Sequence, residues 1–148
     1  MKEITLEMAK KALKASGRWA KDIAGVPCSI AVVDRSGTVI AAERMDGAGA
    51  ATIDIAIEKA WSVVSFKMPT LLLARMIDYR FHGQQLGDHG MGLLTKSKGR
   101  LTFIAGGVPI ISEDADIIGA IGCSGVPAGV GDISDTSVAQ AGVSALYD

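Results

Sequence analysis

Apolar residues recur along this chain with two different periods, and the switches between them outline its elements. Leu6, Ala9, Leu13, Ala20 and Ile23, with Trp19 beside them, fall at helical spacing behind Thr5, whose hydroxyl suits an N-cap. Gly25 and Pro27 then stop that helix. Cys28 to Val33 and Thr38 to Glu43 are β-rich runs joined by the turn residues Asp34-Arg35-Ser36-Gly37, which makes a first hairpin. Helical spacing returns in Ile53, Ala56, Ile57, Ala60, Trp61 and Val64, predicting a helix over 52–66. Pro69 and Thr70 open a third helix that ends near Arg80. Phe81 to Lys98, interrupted by Gly83, Gly87, Gly90 and Gly92, reads as a long loop, and loops of that length inside compact domains are often functional. Leu101 to Ile104 predicts a third strand, and a glycine-rich hairpin from Gly106 to Gly125 supplies the fourth and fifth. Ser134 or Asp135 caps a last helix running to Leu146.

The order α-β-β-α-α-β-β-β-α predicts an α+β fold, a five-stranded and largely antiparallel sheet with helices packed on its faces. With no linker or break in composition, residues 1–148 are expected to form a single domain. Composition narrows the class further. The hydrophobic content of 49% is mostly Ala, Ile, Val and Leu, and aromatics make up only 5%, too few for a base-stacking surface. Charges are interspersed and sum to −1, with no basic stripe, so nucleic acid is not an expected partner. A charged N-terminus and the lack of a long apolar run predict a cytoplasmic protein without membrane association. Cys28 and Cys123 are isolated in apolar contexts, with no CxxC and no cysteine cluster, and read as buried reduced thiols, a disulfide between them being the alternative.

Glycine inside strands gives up packing and costs entropy, so the Gly106–Gly125 hairpin asks for a reason. Bulges and tight turns are one; a close approach of a ligand or second subunit to bare backbone is the other. Lys59 lies on the helical run 52–66 among apolar neighbours, where it is either desolvated, and suited to act as base or nucleophile, or snorkelling to water. Arg44 ends the second strand; its planar fork suits a carboxylate, while an ion pair with Asp46 competes for it. His82 and His89 are the only histidines; beside Asp88, His89 suits proton transfer near neutral pH, against the alternative of a solvent-exposed loop histidine. Ser124, between Gly122 and Gly125, can donate to a ligand, but no histidine beside it in sequence would make it a nucleophile.

Many short motifs in order carry a resemblance over nearly the whole chain: Ser29-Ile30-Ala31-Val32-Val33-Asp34 with Gly37, Arg44-Met45-Asp46-Gly47, Ile55-Ala56-Ile57 with Lys59-Ala60, Pro69-Thr70, Gly106-Gly107-Val108-Pro109-Ile110, and Gly119-Ala120-Ile121-Gly122 with Ser124-Gly125. Together they resemble the GlcG/HbpS family, found as free proteins and as the C-terminal domain of some corrinoid adenosyltransferases. The resemblance implies a profilin- or PAS-like domain that assembles as a homo-oligomer, dimer or octamer, with the motif glycines, Lys59 and Asp46 around a pocket at or near a subunit contact. Some members bind haem through a histidine in the N-terminal part, whereas this chain has none before His82; His89 or Met45 would have to serve.

Three functions follow as expectations. The first is a small-molecule enzyme of catabolism acting on an organic acid or carbonyl compound by isomerisation, hydrolysis or elimination. Its catalytic set would be Lys59, His89 and Asp46, and its substrate-binding set Arg44, Gly106, Gly107, Pro109, Ser124 and Gly125, with no metal and no redox cofactor. The second is a non-catalytic haem- or tetrapyrrole-binding sensor or carrier. The third is a structural accessory subunit.

Overall fold

The computed structural model describes residues 1–77, 80–81, 84–127 and 132–148, without the side chains of residues 77, 80, 81 and 84–89. Thr5 caps the first helix, α1 (Leu6–Trp19), by accepting from the Met8 amide at 3.2 Å. Its buried face, Ala9, Ala12, Leu13 and Ser16, repeats at helical spacing. The helix continues as a π-helical turn over Ala20–Ala24 and stops at Gly25, whose φ of 64° is left-handed.

Strands β1 (Ser29–Asp34) and β2 (Val39–Arg44) form the expected hairpin. The Asp34 carboxylate fixes its turn by accepting from the Ser36 hydroxyl and from the amides of Ser36 and Thr38. Helix α2 (Thr52–Phe66) and helix α3 (Thr70–Ile77) follow. A two-residue ribbon, β3 (Arg80–Phe81) with β4 (Gln84–Gln85), then leads into helix α4 (Leu86–Lys96). The second hairpin is β5 (Gly107–Ile111) with β6 (Ile117–Ser124), and α5 (Asp135–Leu146) closes the chain behind its Ser134 cap.

The main sheet is antiparallel, in the order β2-β1-β6-β5. It has four strands, not the five expected, because 101–104 is not a strand. The donors that would have built a ladder there are taken by hydroxyls. Leu101 N donates to Ser97 Oγ, Thr102 N to Ser62 Oγ and Ile104 N to Thr102 Oγ1. The loop expected over 81–98 is likewise corrected to a ribbon and a helix. Each glycine costs a helix about 1 kcal/mol, but α4 packs on α3 and is closed by hydroxyl bonds from Thr95 and Ser97 to carbonyls of its own turns. The chain leaves through Lys98 and Gly99, both at positive φ. The third helix ends short of Arg80, which already belongs to β3.

Two layers of helices sandwich the sheet. Ile30, Val32, Val108, Ile110, Ile121 and Cys123 face α1 and α5 in the larger core cluster. On the other face α2 lies along the sheet, from Thr52 beside Ser29 at the start of β1 to Trp61 at the Gly37 turn beyond its end. Under α2 a row in register across all four strands, Ala42–Ala31–Gly122–Gly107, carries nothing larger than a methyl group. A Cβ on Gly122 would run into the Ala56 carbonyl of α2, and one on Gly107 would come within 2.7 Å of the Lys59 carbonyl. Gly107 and Gly122 of the second hairpin therefore seat the chain's own helix directly on the sheet. Among the described residues, no helix is long and apolar enough to cross a membrane.

Candidate functional site

Helix α2 turns Lys59 toward the end of the sheet, where its side chain is 1% exposed. Nζ donates to the Cys123 carbonyl at 2.8 Å and to Asp135 Oδ2 at 3.0 Å. Asp135 opens α5, where the positive end of the helix dipole favours a carboxylate. Its second oxygen, Oδ1, accepts from the Val126 amide at 2.8 Å and from the Cys123 thiol at 3.4 Å. The ion pair thus joins the α2 layer to the α5 layer around the end of the sheet. Gly106, at φ 132°, makes room for it: a Cβ there would stand 2.9 Å from Lys59 Nζ and 2.8 Å from Asp135 Cβ. Lys59 is desolvated, as one of its two sequence readings held, but it is satisfied by a carboxylate and a carbonyl. A proton transfer from Nζ to a ligand would have to break that pair.

The remaining expected residues divide. Arg44 and Ser124 both align with Ser29 across the sheet, so one row brings Arg44, Ser29 and Ser124 together. Arg44 Nη1 donates to the Ala48 carbonyl at 3.0 Å, and the only ion pairs among the described residues are Lys59–Asp135 and the N-terminus with Glu113. The Arg44–Asp46 pair is therefore replaced by a turn-closing bond, and Asp46 stands exposed beside it. Ser124 is buried. Gly125, at φ 139°, lies against Pro27 and Cys28. Gly107 N donates to Thr70 Oγ1 at 2.8 Å, and Pro109 sits one pleat further along the α2 face. His89 belongs to the first turns of α4, but its side chain is outside the described residues, and so is the whole of His82.

Sequence reasoning missed Asp135 as the partner of Lys59 and the convergence of the two cysteines. Both thiols are free and buried, as expected. Cys28 Sγ lies 3.8 Å from Met45 Sδ. The hydrogen bond between the two thiols, burial and the facing Asp135 carboxylate push Cys123 well above the usual thiol range, while the bond from Cys123 draws Cys28 down. Only the helix-capping position of Asp135 and the in-strand position of Cys123 were visible beforehand.

The cavities lined by described residues lie elsewhere. One of about 450 Å³ is bounded by Arg35, Lys67 and Asp116 near the hairpin turns, and one of about 340 Å³ lies between α1 and α5 at Trp19 and Ala141. Exposed large apolar side chains gather instead on the short helices α3 and α4. Leu72 and Met76, one turn apart on α3, are exposed, as are Leu93 and Met91 of α4, the last at 64%.

A family model described as "Haem degrading protein HbpS-like" matches residues 4–144. A curated relative from Citrobacter freundii, an uncharacterised 15.0 kDa protein of the dhaT-dhaS intergenic region, is 32% identical over 82% of this chain and 80% of its own length. The crystal structure of Klebsiella pneumoniae protein ORFY superposes with a TM-score of 0.82 at 31% identity, covering 99% of this chain and 92% of that one. The structure of a PduOC:haem complex superposes with a TM-score of 0.77 at 26% identity, covering 97% and 94%.

Proposed function

Because this chain belongs to the HbpS-like family, we propose that it binds haem or a related tetrapyrrole as a sensor or carrier. The observation that carries this reading is the likeness over 97% of the chain to a domain solved with haem bound. The residues present fit the group. Haem needs apolar surface for the porphyrin faces and one or two axial donors, commonly His or Met. Helices α3 and α4 pack on each other and leave Leu72, Met76, Met91 and Leu93 exposed. The same α4 carries His89 near its start, and we assign the axial donor to His89. Met45 is the weaker donor, since its thioether is already turned onto Cys28. Bound haem would supply a redox-active iron; the chain's own residues would supply apolar cover and the axial ligand.

The acid–base enzyme built on Lys59, His89 and Asp46 gains nothing from the geometry, with Lys59 committed to Asp135 and Asp46 exposed at a turn. The protein assembles in this reading as a homo-oligomer, dimer or octamer, which sedimentation velocity reads out. Titration of haem into the purified protein should give a saturable Soret shift that weakens at least tenfold in His89→Ala and is kept in His82→Ala. No shift in the wild type would remove the haem reading, and an unchanged His89→Ala titration would remove the ligand assignment. Bleaching of the Soret band under reductant and dioxygen, beyond a free-haem control, would extend binding to degradation.

A further inference from the structure

Three sulfur atoms from neighbouring strands meet at the rim of the larger core: Cys28 just before β1, Met45 just after β2, and Cys123 in β6. Met45 N donates to the Cys28 carbonyl at 3.0 Å, so the two residues extend the β1–β2 ladder by one pair. Cys123 is opposite Ile30, which places it diagonally from Cys28 on the same face. Cys28 Sγ lies 3.8 Å from Met45 Sδ, and the Cys123 thiol interacts with that of Cys28 while donating to Asp135 Oδ1 at 3.4 Å.

We propose that Cys28, Cys123 and Met45 form a three-sulfur site for Cu(I). Soft thiolate and thioether donors select this cation over harder ones. Metal–sulfur bonds of about 2.3 Å set the sulfurs of a trigonal site roughly 4 Å apart, close to the 3.8 Å between Cys28 and Met45. A disulfide suits the pair less well, because diagonal strand neighbours stand roughly 7–8 Å apart and two cysteines beyond about 7 Å need backbone movement to bridge. Two thiolates with one Cu(I) carry a net charge of −1 beside the Lys59–Asp135 ion pair, whose Asp135 Oδ1 lies 3.4 Å from Cys123 Sγ and gives up the thiol's hydrogen bond on binding. Binding breaks two S–H bonds, releases two protons to water and forms three Cu–S bonds; no electron is transferred. Met45, half-buried and followed by exposed Asp46 and Gly47, gives the cation a way in from solvent.

The test is anaerobic titration of the reduced, haem-free protein with Cu(I) supplied as its acetonitrile complex, in competition with a chromogenic chelator. One Cu(I) per chain is expected, with X-ray absorption showing sulfur-only coordination. Cys28→Ser and Cys123→Ser should abolish competition, and Met45→Leu, which removes one of the three Cu–S bonds, should weaken it by about tenfold or more. Circular dichroism of each variant separates loss of the site from loss of the fold, and Met45→Leu keeps an apolar side chain of similar size. Binding that survives Cys28→Ser in a folded protein would overturn the site. Wild-type affinity in Met45→Leu would overturn the third ligand, and oxygen or nitrogen in the coordination shell would overturn the sulfur set.

Discussion

Helix α2 and the α3–α4 pair lie next to each other in sequence, yet they spend their apolar residues in opposite ways. Under α2 the sheet is pared down to Ala42, Ala31, Gly122 and Gly107, and the helix backbone rests on that row with Ala56, Ala60 and Val63 buried. On α3 and α4, Leu72, Met76, Met91 and Leu93 remain in contact with water. The α2 layer answers each of its unusual residues from within the chain: glycines by the helix, Lys59 by Asp135, Ser62 by the Thr102 amide. The α3–α4 pair leaves these four side chains exposed. A residue type that looks functional in sequence is therefore structural where the fold supplies its partner. It is a candidate for binding where the fold does not.

The sharpest way to break this contrast is to put a methyl group into the α2 layer. Gly122→Ala places its Cβ on the Ala56 carbonyl, and backbone cannot yield as a side-chain tip can. Overpacking typically costs about 1–3 kcal/mol and occasionally more, and a clash with backbone belongs at or beyond the top of that range, read as a fall in the urea midpoint at unchanged slope. A stability within 1 kcal/mol of wild type would show that α2 is not seated on that row. Lys59→Ala comes close behind. It strands the Asp135 carboxylate beside a buried thiol, and removing one partner of a buried pair costs about 3–5 kcal/mol. Lys59→Met with Asp135→Leu should recover much of that loss in the same denaturation assay. If the double variant is as unstable as Lys59→Ala, the ion pair is not what Lys59 contributes.

The α2 layer also shows how far sequence could reach. Helical periods placed α1, α2 and α5, and apolar β-rich runs bounded by turn residues placed both hairpins. The misses share a cause. The run 101–104 has strand composition, but its amides are claimed by Ser62, Ser97 and Thr102, a tertiary fact with no local signature. Helix α4 contains three glycines that argue against helix locally, and packing on α3 overrides them. At the site, the apolar neighbours of Lys59 left burial and snorkelling both open, and the structure buries it. Its partner was not, since Asp135 lies on another helix and reaches it past a glycine. The hairpin glycines were legible as a demand for bare backbone. That the demand came from α2 needed the register, which sets Gly107, Gly122 and Ala31 in one line.

A third substitution tests the exposed face. If Leu72 and Met76 contribute to haem binding, Leu72→Glu with Met76→Glu should weaken the Soret titration by about tenfold, near 1.4 kcal/mol. Stability should move by no more than about 0.5 kcal/mol, as for surface sites in general. The pattern is the reverse of Lys59→Ala, where stability falls first. Unchanged haem affinity in the double glutamate would leave α3 outside the site.

The smallest effect brings the comparison down to a single methyl group. Gly92 lies inside α4 at a position where a Cβ would meet nothing within 4 Å, and its φ is not in the left-handed region. There the same Gly→Ala change that should wreck the α2 layer removes only the entropic penalty of glycine in a helix. We expect Gly92→Ala to stabilise the protein by about 0.5–1 kcal/mol. A thermal or urea midpoint above that of the wild type, with Gly122→Ala far below it, would separate glycine retained for close approach from glycine tolerated on an open helix. If Gly92→Ala destabilises instead, that side of α4 is covered in solution, and the contrast between the two regions narrows to the face occupied by Leu72 and Met76.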